Sequence, residues 1–207
     1  MPSGCPTHVG VVNASAIVSG IFANISAKSV SGDITLDGVT GKVDAKTVSG
    51  DLEARGVDGE IAFNSVSGDL TLAGGAIRHL TAKTISGQVT ADIDVCDGGG
   101  LKVSTVSGDV AVRVPACASA RVDLKSTSGR LRSSFDGMSP APGPGPAVMN
   151  ASLGSGSANL SLSSMTGDVT LLARVDSPRP GEPPAPERNV QDSRMSAPTP
   201  TGQGEQA

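Results

Sequence analysis

Residues 46–72 read KTVSGDLEARGVDGEIAFNSVSGDLTL, and the VSGDL that occurs twice within them decides the fold. Its two glycines, Gly50 and Gly68, are one period apart. Searching outward for the Ser/Thr-Gly marker finds Gly32, Gly87, Gly108, Gly129 and Gly167 as well. The intervals are 18, 18, 19, 21, 21 and 38 residues, the last about two periods. A repeat of this length, carried mainly by small and β-branched residues, is the signature of stacked supersecondary units.

Aligned on the glycine, apolar residues stand seven, five and two positions before it. They are Ile25, Ala27 and Val30; Val43, Ala45 and Val48; Ile61, Phe63 and Val66; Leu80, Ala82 and Ile85; Leu101, Val103 and Val106; and Leu160, Leu162 and Met165. In the sixth copy Val122 and Leu124 are followed by Thr127. Two more apolar positions follow at plus two and plus four, such as Leu52 with Ala54 and Leu70 with Leu72. Alternation with a period of two buries one face of a strand. On this reading parity slips between minus five and minus two, which places a bend there, and the glycine takes a tight corner. Each period is then one rung, and the fold class is all-β: a single-stranded parallel β-helix, or β-solenoid, of about seven rungs with 18–21 residues each. Stacking puts Ile34, Leu52, Leu70, Val89, Val110, Leu131 and Val169 in one column. Gly32, Gly41, Gly50, Gly59 and Gly68 lie nine apart, so the early rungs have two similar halves. Helices are excluded by the frequency of Gly and β-branched residues. A β-sandwich is disfavoured by the near-fixed period.

Composition agrees. The chain has three Phe, no Tyr and no Trp, 27 Gly and a net charge of −4. Stacked repeats replace aromatic anchors as the means of burying surface. Nucleic acid is excluded as a partner, since there is neither a basic stripe nor a set of stacking aromatics. No segment approaches the ~20 apolar residues of a membrane span. Residues 1–24 read as an N-terminal cap or degraded repeat with Ser19-Gly20 out of phase, residues 25–174 as the solenoid, and residues 175–207 as a disordered, Pro-rich tail. The proline-rich 139–147 reads as a loop thrown out of the sheet, because proline cannot donate to a ladder. No Lys or Arg precedes Lys28, so the basic flank of a signal peptide is missing. The expected location is cytoplasmic, or exported or cell-surface if the N-terminus is truncated.

The quoted stretch and the closing GSGSANLSLSSMTGDVTLL (residues 154–172) resemble a bacterial β-strand-repeat family, a domain of unknown function often labelled adhesin. The likeness covers about residues 25–174. It implies a β-helical fold and carries neither an established activity nor catalytic residues.

Three columns are candidates for chemistry. Asp33, Asp51, Asp69, Asp109 and Asp168 follow their glycines, interrupted by Gln88 and Arg130. Stacked carboxylates could ligate Ca²⁺, with Asp33, Asp51 and Asp69 as the metal candidates. The simpler reading has each Asp binding nearby backbone N–H groups. A polar ladder stands at minus three (Ser29, Thr47, Ser65, Thr84, Thr105, Ser126 and Ser164). Beside it at minus four are Lys28, Lys46, Asn64, Lys83, Ser104, Lys125 and Ser163. Such a ladder either presents a regular surface to a glycan or another protein or bonds to itself at a corner. Cys96 and Cys117 each stand nine after a marker glycine, which predicts a stacked pair of reduced thiols in adjacent rungs. His8 and His79 find no partners for a catalytic triad or metal site. The expected function is a non-enzymatic binding or adhesin-like module without cofactor, whose partner is a protein or a glycan. The alternatives are a scaffold self-associating through its terminal rungs, resembling bactofilin filaments, and, ranked last, a carbohydrate-active enzyme.

Overall fold

A computed structural model describes residues 7–135, 138 and 145–174 of the chain. The tail 175–207, Cys5 and most of the proline-rich 139–147 lie outside the described residues. Among those described, every regular element is a strand. They are β1 (Thr7–Val11), β2 (Ala16–Ser19), β3 (Ile25–Ser31), β4 (Ile34–Asp37), β5 (Thr40–Ser49), β6 (Leu52–Arg55), β7 (Asp58–Ser67), β8 (Leu70–Ser86), β9 (Val89–Ser107), β10 (Val110–Pro115), β11 (Ala120–Ser126), β12 (Leu131–Ser133), β13 (Ala147–Leu153), β14 (Ala158–Ser164) and β15 (Val169–Arg174). They form a β-solenoid in which each turn pairs in parallel with the next. One column runs Thr7, Ile25, Val43, Ile61, Leu80 and Leu101, and a second runs Ala16, Ile34, Leu52, Leu70, Val89 and Val110.

The register revises the reading of both ends. β1 and β2 pair with β3 and β4 at an 18-residue offset, so residues 7–19 form a rung in phase with the rest. Ala14, not Ser19-Gly20, occupies the marker position. Gly20 belongs to a different corner, with Gly38 and Gly56, where φ is +63°, +58° and +57°. At the other end the spatial order departs from the chain order. Val110 pairs with Val169, and Val169 pairs in turn with Leu131. Likewise β14 sits between β9 and β11. After β10 the chain skips a level, and the last motif returns to fill it. The return is made by β13, which runs antiparallel along the far side of β11. The connection to β14 passes the start of β11, where Ser119 Oγ accepts from the Ser155 N–H (3.4 Å) and the Ser157 hydroxyl donates to the Ser119 carbonyl (3.0 Å). Ala147 is the first residue of β13, so the end of the expected proline loop is strand.

The core is a set of aliphatic columns. Phe63 is fully buried, and its register partners on either side are Ala45 and Ala82. A ring therefore fits between two small neighbours. Val39, Val57, Ile77 and Ile93 are buried too and lie outside the repeat positions identified in the sequence. Burying an aliphatic side chain of this size contributes about 1.5–3 kcal/mol.

The marker glycines are needed for close approach between rungs. A Cβ on Gly50 would lie 2.4 Å from the carbonyl oxygen of Gly32, and one on Gly108 2.0 Å from that of Gly87. Gly41 and Gly59 form a second such column, which accounts for the nine-residue spacing.

Candidate functional site

The strands before the marker do not bend where the sequence parity suggested. β3 runs unbroken from Ile25 to Ser31, and β5, β7, β8 and β9 carry the same segment as continuous strand. Strict alternation then points positions minus seven, minus five and minus three inward and minus six, minus four and minus two outward. The two columns nearest the corner are the reverse of the hydropathy reading. Ser29, Thr47, Ser65, Thr84, Thr105, Ser126 and Ser164 are buried. Val30, Val48, Val66, Ile85, Val106 and Met165 face solvent, from 43% exposed at Val106 to 53% at Ile85. The polar ladder at minus three is therefore not a surface.

The buried hydroxyls fit the narrow space inside the corner. Ser29 Oγ donates to the Gly32 carbonyl at 3.0 Å, Ser126 Oγ to that of Gly167 at 2.9 Å and Ser164 Oγ to that of Gly108 at 3.2 Å. The hydroxyls of Thr47, Ser65, Thr84 and Thr105 have no hydrogen-bond partner among the described residues.

The exposed aliphatics form one line. The parallel registers on either side, such as Ser29 with Thr47 and Ser31 with Ser49, place Val30, Val48, Val66, Ile85 and Val106 on successive levels, and Met165, just past the end of β14, follows next to Val106. Val12 extends the line at the other end and is 66% exposed. On the same outward face the minus-four column carries Lys28, Lys46 and Lys83, all exposed. Around the corner lies the aspartate column. Single exposed aliphatics are ordinary, whereas a continuous apolar strip bordered by polar residues marks an interaction surface.

The aspartates do not group into a metal site. Asp33 Oδ1 accepts the N–H of Asp51 (3.1 Å), Asp51 that of Asp69 (2.8 Å), and Asp69 that of Gln88 (2.7 Å). In the refilled end Asp109 serves Asp168, and Asp168 serves Arg130, each at 2.8 Å. Each carboxylate clasps the backbone of the next rung rather than its own turn. Among the described residues no group of three or more His, Cys, Asp or Glu is placed to hold a metal ion. Cys96 and Cys117 are both free thiols. The β9–β10 register ends at Asp92 and Arg113, and Cys117 lies in the turn beyond, so the ladder does not reach the pair. His79 stands opposite Gly100, and His8 opposite Ser26.

Two further features were not legible in the sequence. Arg174, at the end of β15, donates from Nη1 to Asp92 Oδ1 (2.8 Å) and also pairs with Asp94, while Arg113 pairs with Asp92 from the other side. The hydrogen bond from Arg113 is the largest influence and holds the Asp92 carboxyl below its usual value of 3.8; burial opposes it, and the hydrogen bond from Arg174 and the charges of the two guanidiniums add to the lowering. The stabilisation is thus fully present above the unfolded value and is lost as pH falls through the lower folded value. Urea titrations of Asp92→Asn and wild type are expected to differ by about 1 kcal/mol near neutral pH and to converge as pH falls below the usual carboxylate range. A difference independent of pH over that range contradicts the assignment. The second feature is an open groove of about 610 Å³ over β13, β11 and β14, lined by Arg121, Asp123, Asn150, Ser152, Asn159 and Ser161 among others.

Among the described residues no helix is long and apolar enough to cross a membrane. The model of the family described as Toastrack DUF4097 matches residues 21–172. No curated protein and no solved structure matches the chain.

Proposed function

On the premise that this chain belongs to the Toastrack DUF4097 family of β-repeat domains of unknown function, we propose that it is a non-enzymatic binding module whose docking element is the outward aliphatic ladder. The carrying observation is the continuity of that ladder: Val12, Val30, Val48, Val66, Ile85, Val106 and Met165 hold one line while the columns beside it are polar. Keeping an aliphatic residue at a solvent-facing position in rung after rung does nothing for the core. It does supply a strip about 30 Å long at the ~4.8 Å spacing of strands. The inventory for catalysis is thin. The groove over β11 offers Arg121 and Asp123 as its charged groups, with no histidine or cysteine.

A photo-crosslinking residue at Val66 in the native host cell tests this, with Thr71, exposed on another strand face, as control. Discrete adducts at position 66 and none at 71 are expected. Adducts at both positions, or at neither, overturn the reading.

A further inference from the structure

We propose that the occupant of the ladder is a second copy of this chain, docked side by side with the two solenoid axes parallel. The inference rests on the reading of the ladder as a docking surface and adds its partner and orientation.

The charge pattern of the strip selects this occupant. Across the strip each level presents a minus-four residue on one side and a plus-one residue on the other. From the Val30 level on these are Lys28 and Asp33, Lys46 and Asp51, Asn64 and Asp69, Lys83 and Gln88, and Ser104 and Asp109. Where the lysine is missing, a neutral donor replaces it: Asn64 opposite Asp69, or Ser104 opposite Asp109. One edge is thus a column of donors and the other a column rich in acceptors. A two-fold axis parallel to the solenoid axis brings valine onto valine and exchanges left with right at constant height. Lys46 of one copy then faces Asp51 of the other, twice per level. A two-fold axis across the solenoid keeps left on left and sets lysine columns against each other, which is destabilising. An isologous interface needs a patch complementary to itself, and this strip has that property in the parallel arrangement alone.

The size of the strip places the contact among weak, transient interfaces. At about 30 Å by about 15 Å it offers roughly 450 Å² per copy, or roughly 900 Å² in total, at the low end of specific interfaces. A weak dimer follows, with a dissociation constant of order 10 µM.

Sedimentation velocity of the full chain from about 1 to 500 µM tests the proposal. A monomer–dimer equilibrium in that range is expected for wild type, with Val48→Lys/Val66→Lys monomeric throughout. Both residues are about half exposed, so the variant is expected to retain its melting temperature. Lys46→Asp and Asp51→Lys are each expected to weaken the dimer about tenfold, and the two together to restore it, since position 46 meets position 51 of the other copy. Wild type monomeric at 500 µM, or a dimer indifferent to the Val48/Val66 change, overturns the proposal. A dimer whose double swap is no better than the single changes overturns the parallel orientation. Val66 adducts containing a different macromolecule, with a monomeric chain, would sink this inference and leave the docking surface standing.

Discussion

Gly108→Ala is expected to destabilise the solenoid by about 4 kcal/mol, near the upper end of single-residue effects. The added Cβ would stand 2.0 Å from the Gly87 carbonyl oxygen and 2.8 Å from its carbon. Both atoms are backbone, in a rung fixed by its own ladder; the Gly87 N–H, for example, donates to the Ser107 carbonyl at 3.1 Å. Nothing flexible is available to move, so the two levels must part, and the clasp from Asp109 to the next rung is strained with them. Gly38→Ala is the control. There φ is +58°, but no atom lies within 4 Å of the added Cβ. Only the left-handed backbone penalty applies, about 1–2 kcal/mol. Urea unfolding of the two variants checks the contrast. Equal losses would mean that the glycines serve backbone freedom and not the approach of adjacent rungs.

Phe63→Ala is expected to cost about 3–5 kcal/mol, the range for removing a buried ring from a core that cannot collapse around the void. Phe63 is fully buried, while Phe22 is exposed and Phe135 only packs against the edge of the core. Its register partners Ala45 and Ala82 cannot reach into the space it leaves. Moving the ring one level, as Phe63→Ala/Ala82→Phe, is expected to recover part of the loss, because the small residue and the ring then exchange places in one column. A loss below about 1 kcal/mol for Phe63→Ala would show that the site closes up on truncation.

The glycine and aliphatic columns were legible because stacking imposes a period, and a period survives substitution. What failed was the equation of apolar with buried. Val48 looks like a core residue and Thr47 like a surface one, and the strand geometry makes them the opposite. A tight corner has room inside for a hydroxyl but not for a branched aliphatic. An outward valine shows in the sequence only if parity is carried through the strand without allowing a bend. The displaced level was not legible either. A 38-residue interval is compatible with two consecutive rungs, and nothing in the composition of residues 130–166 signals that β14 returns to lie between β9 and β11. The first rung escaped notice because Ala14 stands where glycine is the marker. Its carbonyl oxygen would meet a Cβ on Gly32 at 2.3 Å, so the geometry persists without the letter. The Asp92–Arg174 pair joins residues 82 apart in the chain and follows from the refilled level, not from any local pattern.

The most direct test of the account is the orientation of two adjacent side chains. In a background with Cys5, Cys96 and Cys117 replaced by serine, single cysteines at Val66 and Ser65 are compared for their rate of alkylation by a maleimide at low protein concentration. The account predicts fast modification at Val66, like that of an exposed thiol, and modification about a hundredfold slower at Ser65, limited by opening of the rung. Fast reaction at Ser65 with protection at Val66 would place the aliphatic column in the core and remove the ladder on which the proposed function depends.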